Sequence, residues 1–104
     1  MIRHIVFFSA GSPENIGAVE SGLRKLGRIP HSRLFEVSRN MKVDPIGDDV
    51  DVVVYAEFEN EAALAAYKAH PLYSETTREV RPLRELRFSA DVVAAPSTGE
   101  TVKQ

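Results

Sequence analysis

The stretch Val50-Asp51-Val52-Val53-Val54-Tyr55-Ala56-Glu57-Phe58 constrains the fold more than any other part of this chain. Val50, Val52, Val54, Ala56 and Phe58 recur with a period of two, while Val53 and Tyr55 make the opposite face apolar as well. A β-strand sends successive side chains to opposite faces, so a strand apolar on both must be covered on both. Residues 2–9 repeat the pattern: Ile2, His4, Val6 and Phe8 share one face, and Ile5 and Phe7 the other. These two segments are expected to be the centre of a sheet.

Two helical segments and two weaker strands surround them. Ser12 offers an N-cap and Pro13 suits a first helical turn; Ile16, Val19, Leu23 and Leu26 then recur at helical spacing until Gly27. After Ile29-Pro30 the chain over 31–41 looks extended, but Glu36 and Arg39 break its apolar pattern, which predicts an edge strand. Asp44-Pro45-Ile46-Gly47-Asp48 is a loop signal. Asn60 is placed to cap a second helix, carried by Ala63, Leu64, Tyr67 and Lys68 and stopped by His70-Pro71, with a short further helical piece over 74–80. Leu86, Phe88, Ala90 and Val92 alternate as a last strand, and residues 95–104 read as a loose tail behind a single domain over 1–94.

The order strand, helix, strand, strand, helix, strand is the α+β, ferredoxin-like βαββαβ arrangement, with the first and third strands central in a four-stranded antiparallel sheet. Its helices cover one face and leave the other bare. Because both central strands are apolar on both sides, the bare face is expected to meet the same face of a second subunit, giving a homodimer.

Composition narrows the chemistry. A chain of 104 residues makes one domain, and a formal charge of −2 gives no basic surface for nucleic acid. With no cysteine there is no disulfide framework, thiolate nucleophile or Cys-based metal site. The N-terminal apolar run is too short for a membrane span or a signal-peptide core, so a cytoplasmic location without membrane attachment is expected. His4, His31 and His70 lack a ligand spacing, Asp48, Asp49 and Asp51 lack the register of a calcium loop, and no phosphate loop or dinucleotide fingerprint occurs. Neither a metal nor a cofactor is expected. The acids at 48, 49 and 51 read as solvated, and Arg78, Arg81, Arg84 and Arg87, interleaved with Glu75, Glu79 and Glu85, read as solvated surface.

The opening Met1-Ile2-Arg3-His4-Ile5-Val6-Phe7-Phe8, the helix-ending Tyr67-x-x-His70-Pro71 and the element order together resemble the stress-responsive dimeric A/B barrel (Dabb) domain family. The resemblance implies a ferredoxin-like protomer whose dimer closes into an α/β barrel, with a pocket between sheet and helices that suits a small apolar or aromatic ligand. Most of that family has no assigned reaction. Its best understood branch resembles a plant polyketide cyclase that performs an intramolecular aldol condensation. The strand histidine of that branch matches His4, its helix tyrosine Tyr67, and its His-Pro matches His70-Pro71. Its catalytic histidine, however, falls where this chain has Tyr73, and a phenol with an ordinary pKa of about 10 is a poor base near neutral pH.

The candidate ligand-binding residues are therefore His4, Tyr67, His70 and Tyr73, and the candidate catalytic residues His4, Tyr67 and Tyr73. Each also has a plainer reading. His4 is a satisfied interior histidine or an imidazole that takes a proton. Tyr67 is a core aromatic or a phenol polarising a carbonyl. His70 is a helix stop or a ligand contact, and Tyr73 leans over a pocket mouth. The functional expectations are a small-molecule-binding homodimer, a cofactor-independent cyclase or isomerase with His4 as base, and a haem-handling oxygenase that would require an axial histidine.

Overall fold

The computed structural model of the chain describes residues 1–95. The chain runs through strand β1 (Ile2–Ala10), helix α1 (Ile16–Arg24), strands β2 (Leu34–Arg39) and β3 (Val52–Phe58), helices α2 (Glu61–Ala69) and α3 (Pro71–Val80), and strand β4 (Arg84–Val93). The strands form one antiparallel sheet in the order β2-β3-β1-β4. The two strands apolar on both faces are thus the central pair, and 31–41 does supply an edge strand. That strand is shorter than the extended stretch, because its pairing with β3 runs only from Leu34 to Arg39. Residues 96–104 of the expected tail over 95–104 lie outside the described residues, and no helix among those described is long and apolar enough to cross a membrane.

The helix ends follow local chemistry. Ser12 and Pro13 open a 3-10 turn, Pro13–Asn15, and the α-helix itself starts only at Ile16. A second 3-10 turn, Lys25–Arg28, finishes the segment. Gly27 lies in that turn against β2: a Cβ there would stand 3.0 Å from the Phe35 ring, so the glycine allows the turn to close onto the strand. Asn60 caps α2 as its sequence position implies, its Oδ1 accepting the Ala63 N–H at 2.9 Å. Proline at 71 ends α2, but the following helix starts at Pro71 itself rather than at 74. The extended backbone of His70 and the fixed φ of proline fit a first helical position, where no N–H is needed.

Helix-facing Val6, Phe8, Val54, Ala56 and Phe58 pack against Val19, Leu23, Leu26, Tyr67 and Val80, all buried. Such burial contributes on the order of 1.5–3 kcal/mol for each large side chain. α1 and α3 approach closely at Gly22, where an added Cβ would stand 2.8 Å from Val80 Cγ2. Asp51 departs from the solvated reading. It is buried, accepts the Ala10 N–H at 2.9 Å through Oδ2, and pairs through Oδ1 with Lys42 Nζ at 2.6 Å. Burial alone would raise its pKa, yet the hydrogen bonds from Lys42 and Ala10 outweigh it and hold the carboxyl below its usual range. Asp51 thereby ties the end of β1 to the loop before β3.

Candidate functional site

The β1–β4 register places the polar members of β4 under the helices. Ile2, His4, Val6 and Phe8 lie opposite Val93, Asp91, Ser89 and Arg87, so the helix side of the sheet carries Arg87, Ser89 and Asp91 beside His4. The alternating apolar set of β4, Leu86, Phe88, Ala90 and Val92, accordingly takes the other face. Asp91 is the residue that the sequence reading missed. Its signal was available in the same alternation, since the positions between the apolar residues of β4 must meet the helix side once both central strands are assigned.

His4 is 2% exposed, and its Nδ1 lies 2.5 Å from Asp91 Oδ1. A carboxylate only accepts, so Nδ1 carries the proton and donates it, leaving Nε2 as the lone-pair nitrogen. Lys68 Nζ stands 3.8 Å from the other carboxylate oxygen of Asp91. Burial lowers the His4 pKa below its ordinary value; the hydrogen bond and charge of Asp91 oppose that shift without overcoming it. The ring is therefore a neutral imidazole held in one tautomer, edge-on to Phe58 and Tyr67 at centroid distances of 6.1 and 5.9 Å.

Tyr67 lies at the centre of the aromatic group. Its ring centroid is 4.9 Å from that of Phe58 and 5.3 Å from that of Tyr73. The phenol is 1% exposed, and its hydroxyl has no hydrogen-bond partner among the described residues. Burial first, and the neighbouring Tyr73 second, push its pKa well above the usual tyrosine range against a smaller opposing effect of Arg87. Tyr67 is thus a permanent donor, not a base. Thr76 on α3 is also 1% exposed, with an Oγ1 that is likewise unpartnered.

These side chains line one cavity. His4, Tyr67, Tyr73 and Thr76 meet Arg84 and Arg87 there, against an apolar wall that includes Val6, Phe8, Leu23, Leu26, Val54 and Val80. The cavity volume is about 30 Å³, room for a water or two. A porphyrin does not fit in it. Arg78, Arg81 and Arg87 are exposed, as the solvated reading of the late arginines implies, but Arg84 is half-buried, and Arg84 and Arg87 both line this cavity at its rim. Glu79, one of the acids expected to interleave with them, is engaged instead by Lys25 at 2.9 Å.

Of the four residues singled out from the sequence, His4, Tyr67 and Tyr73 are brought together and His70 is not. His70 caps α3: its Nδ1 accepts the Leu72 N–H at 3.1 Å, and its ring centroid lies 6.4 Å from that of His31, outside the cavity lining. The corner His70-Pro71 sets where the two tyrosines sit, because it joins the last turn of α2, holding Tyr67, to the first turn of α3, holding Tyr73.

The Stress responsive A/B Barrel Domain family matches residues 2–94 of the chain. No curated protein matches it. Among solved structures, a Dabb family protein with a ferredoxin-like fold from Mesorhizobium loti is 24% identical and superposes with a TM-score of 0.76, covering 91% of this chain and 97% of its own. An Arabidopsis thaliana protein is 20% identical, with a TM-score of 0.78 and coverage of 93% and 98%. A dimeric ferredoxin-like protein of unknown function from Thermobifida fusca is 23% identical, with a TM-score of 0.75 and coverage of 89% and 90%. At these identities the likeness is one of fold.

Proposed function

The chain belongs to the stress-responsive A/B barrel domain family, and on that premise we propose that it is a homodimeric binding protein for a small, largely apolar molecule. The observation that carries this reading is the pair of fully buried, unpartnered hydroxyls, Tyr67 and Thr76, in one cavity between helices and sheet. Unpaired buried hydroxyls cost about 1–3 kcal/mol each, a cost that a ligand's polar end offsets. A ligand larger than water enters by displacing the half-buried Tyr73 or the arginines at the rim. Its apolar body then lies against Val6, Phe8 and Leu23, and His4, Tyr67 and Tyr73 fix its polar end. His70 serves by holding the helix corner. A cytoplasmic location goes with this reading, and fractionation of expressing cells checks it.

The dimer in this reading rests on the bare face of the sheet. Phe7 and Phe88 stack there at a centroid distance of 5.5 Å, with Phe88 still 51% exposed; on the same face Val92, further along β4, and Leu34, on the far edge strand, are 44% and 38% exposed. Covering such a patch is favourable, and the Thermobifida fusca relative is described as dimeric. Analytical ultracentrifugation at micromolar concentration is expected to give a dimer that Phe88→Asp converts to monomer. A wild-type monomer across that range removes this part of the proposal. Ligand binding is tested by amide NMR titration with acetophenone, a small aromatic ketone. Saturable shifts at Tyr67, Thr76 and Tyr73 are expected, and their absence counts against the pocket.

A second reading is favoured by the contact between His4 and Asp91. A neutral imidazole fixed by a carboxylate at Nδ1 presents Nε2 as a general base, and a permanently protonated Tyr67 is suited to receive a developing enolate oxygen. The corresponding activity is a cofactor-independent cyclase or isomerase reaction: His4 removes a proton α to a carbonyl, Tyr67 and Tyr73 hold the oxygen, and the imidazolium returns the proton. Exchange of the methyl hydrogens of acetophenone in deuterium oxide, faster with wild type than with Asp91→Asn, is its signature. Equal rates in the two proteins would remove it.

A further inference from the structure

We infer that the molecule held in this cavity is a small apolar carboxylic acid whose carboxylate is received by Arg84 and Arg87. The inference rests on the binding reading above and narrows it to a ligand class. The cavity lining contains two guanidiniums and no aspartate or glutamate. Neither arginine has an ion-pair partner among the described residues, and unlike the other unpaired arginines these two line a cavity. Two neighbouring cations without a counter-ion repel each other. Arg84 registers this: burial first, then the charges of Arg87 and Arg81, lower its pKa. A bound anion reverses both effects.

The shape favours a carboxylate. Arg87 sits 6.0 Å from the centroid of the Phe8 ring, which holds its planar head at the rim by a cation–π contact. A planar guanidinium meets a carboxylate with two parallel hydrogen bonds. Behind the rim the wall turns apolar through Phe8, Leu23, Leu26 and Val80, so a carbon skeleton, not a second charged group, occupies the interior. The unpartnered hydroxyls of Tyr67 and Thr76 are left for one further polar atom on that skeleton. A phosphoryl group lacks its usual cradle here, since the N-terminus of α3 lies at Pro71, at the opposite end of the helix from Val80.

The test compares benzoate, benzamide and inorganic phosphate by calorimetric and amide NMR titration against the whole chain. Benzoate is expected to bind at least about tenfold more tightly than its neutral amide, the preference of a charge-assisted over a neutral hydrogen bond. Arg84→Gln and Arg87→Gln should each erase most of that preference, weakening benzoate far more than benzamide. Arg84→Lys, which retains the charge, controls for loss of folding and should keep part of it. Equal binding of benzoate and benzamide overturns the carboxylate and leaves the apolar pocket standing. Phosphate binding as tightly as benzoate overturns it as well, in favour of an unselective anion rim. If no probe shifts the cavity residues, this inference falls together with the binding reading.

Discussion

Replacing Tyr67 by phenylalanine isolates the energetic cost of the site. The ring is fixed by Phe58, Tyr73, His4 and Phe35, with centroids 4.9 to 6.5 Å away, and phenylalanine keeps those contacts. What it removes is a hydroxyl that is buried and bonded to no described residue. Desolvating such a group without compensation costs about 1–3 kcal/mol, so Tyr67→Phe is expected to stabilise the unliganded protein by about 1 kcal/mol. For a domain of this size that corresponds to a rise of about 4–8 °C in the midpoint of thermal unfolding. The assay is urea and thermal unfolding of both proteins at one protomer concentration, because a dimer's apparent stability depends on it. The same substitution should weaken acetophenone binding. The reasoning is refuted by a variant that is less stable than wild type by 1 kcal/mol or more without ligand, for the hydroxyl would then be satisfied within the folded protein.

Three further perturbations test other parts of the structure. His4 has a folded pKa below its unfolded value near 6.5, so the folded state binds fewer protons just below that pH; its contribution to stability is complete above pH about 6.5 and declines as the pH falls. Asp91→Asn removes the interactions that raise this pKa, and NMR titration of the imidazole should show it moving lower; an upward shift would contradict the geometry. Gly22→Val must displace Val80 from a position where even a Cβ stands 2.8 Å away, with an expected loss of about 1–3 kcal/mol in chemical denaturation. Unchanged stability would mean that α1 and α3 part easily. His70→Ala removes the side-chain acceptor for the Leu72 N–H and should cost about 0.5–2 kcal/mol, whereas His70→Asn, which keeps a capping acceptor, should restore most of it.

The fold was legible because its strongest signals are local. Strict alternation on both faces of 2–9 and 50–58 marks two central strands, and the order of the remaining elements then admits few sheets. Asn60 and Pro71 mark helix ends through backbone chemistry that operates within four residues. The site was only half legible. His4 and Tyr67 stand out as polar groups on apolar faces, and Tyr73 by its place beyond a proline. Thr76 and Arg84 do not, since nothing within their own segments distinguishes them from solvated residues, and Asp91 does so only once the alternation of β4 is set against an assigned sheet. Their roles come from a register that pairs residue 4 with residue 91 and from a helix crossing that turns 76 inward. Asp51 was misread for the same reason: its partners, Ala10 and Lys42, lie 41 and 9 residues away.

The corner at His70-Pro71 also sets what kind of change the domain tolerates. One residue closes α2 and opens α3, so no slack exists between the turn that carries Tyr67 and the turn that carries Tyr73. A residue inserted there would separate the two helices and break the register that sets Tyr73 beside Tyr67. The exposed loop over 43–49 has no comparable constraint. Length variation in this chain is therefore better tolerated in that loop than at the helix corner, and a designer grafting new specificity into the cavity does best to work by substitution on that side.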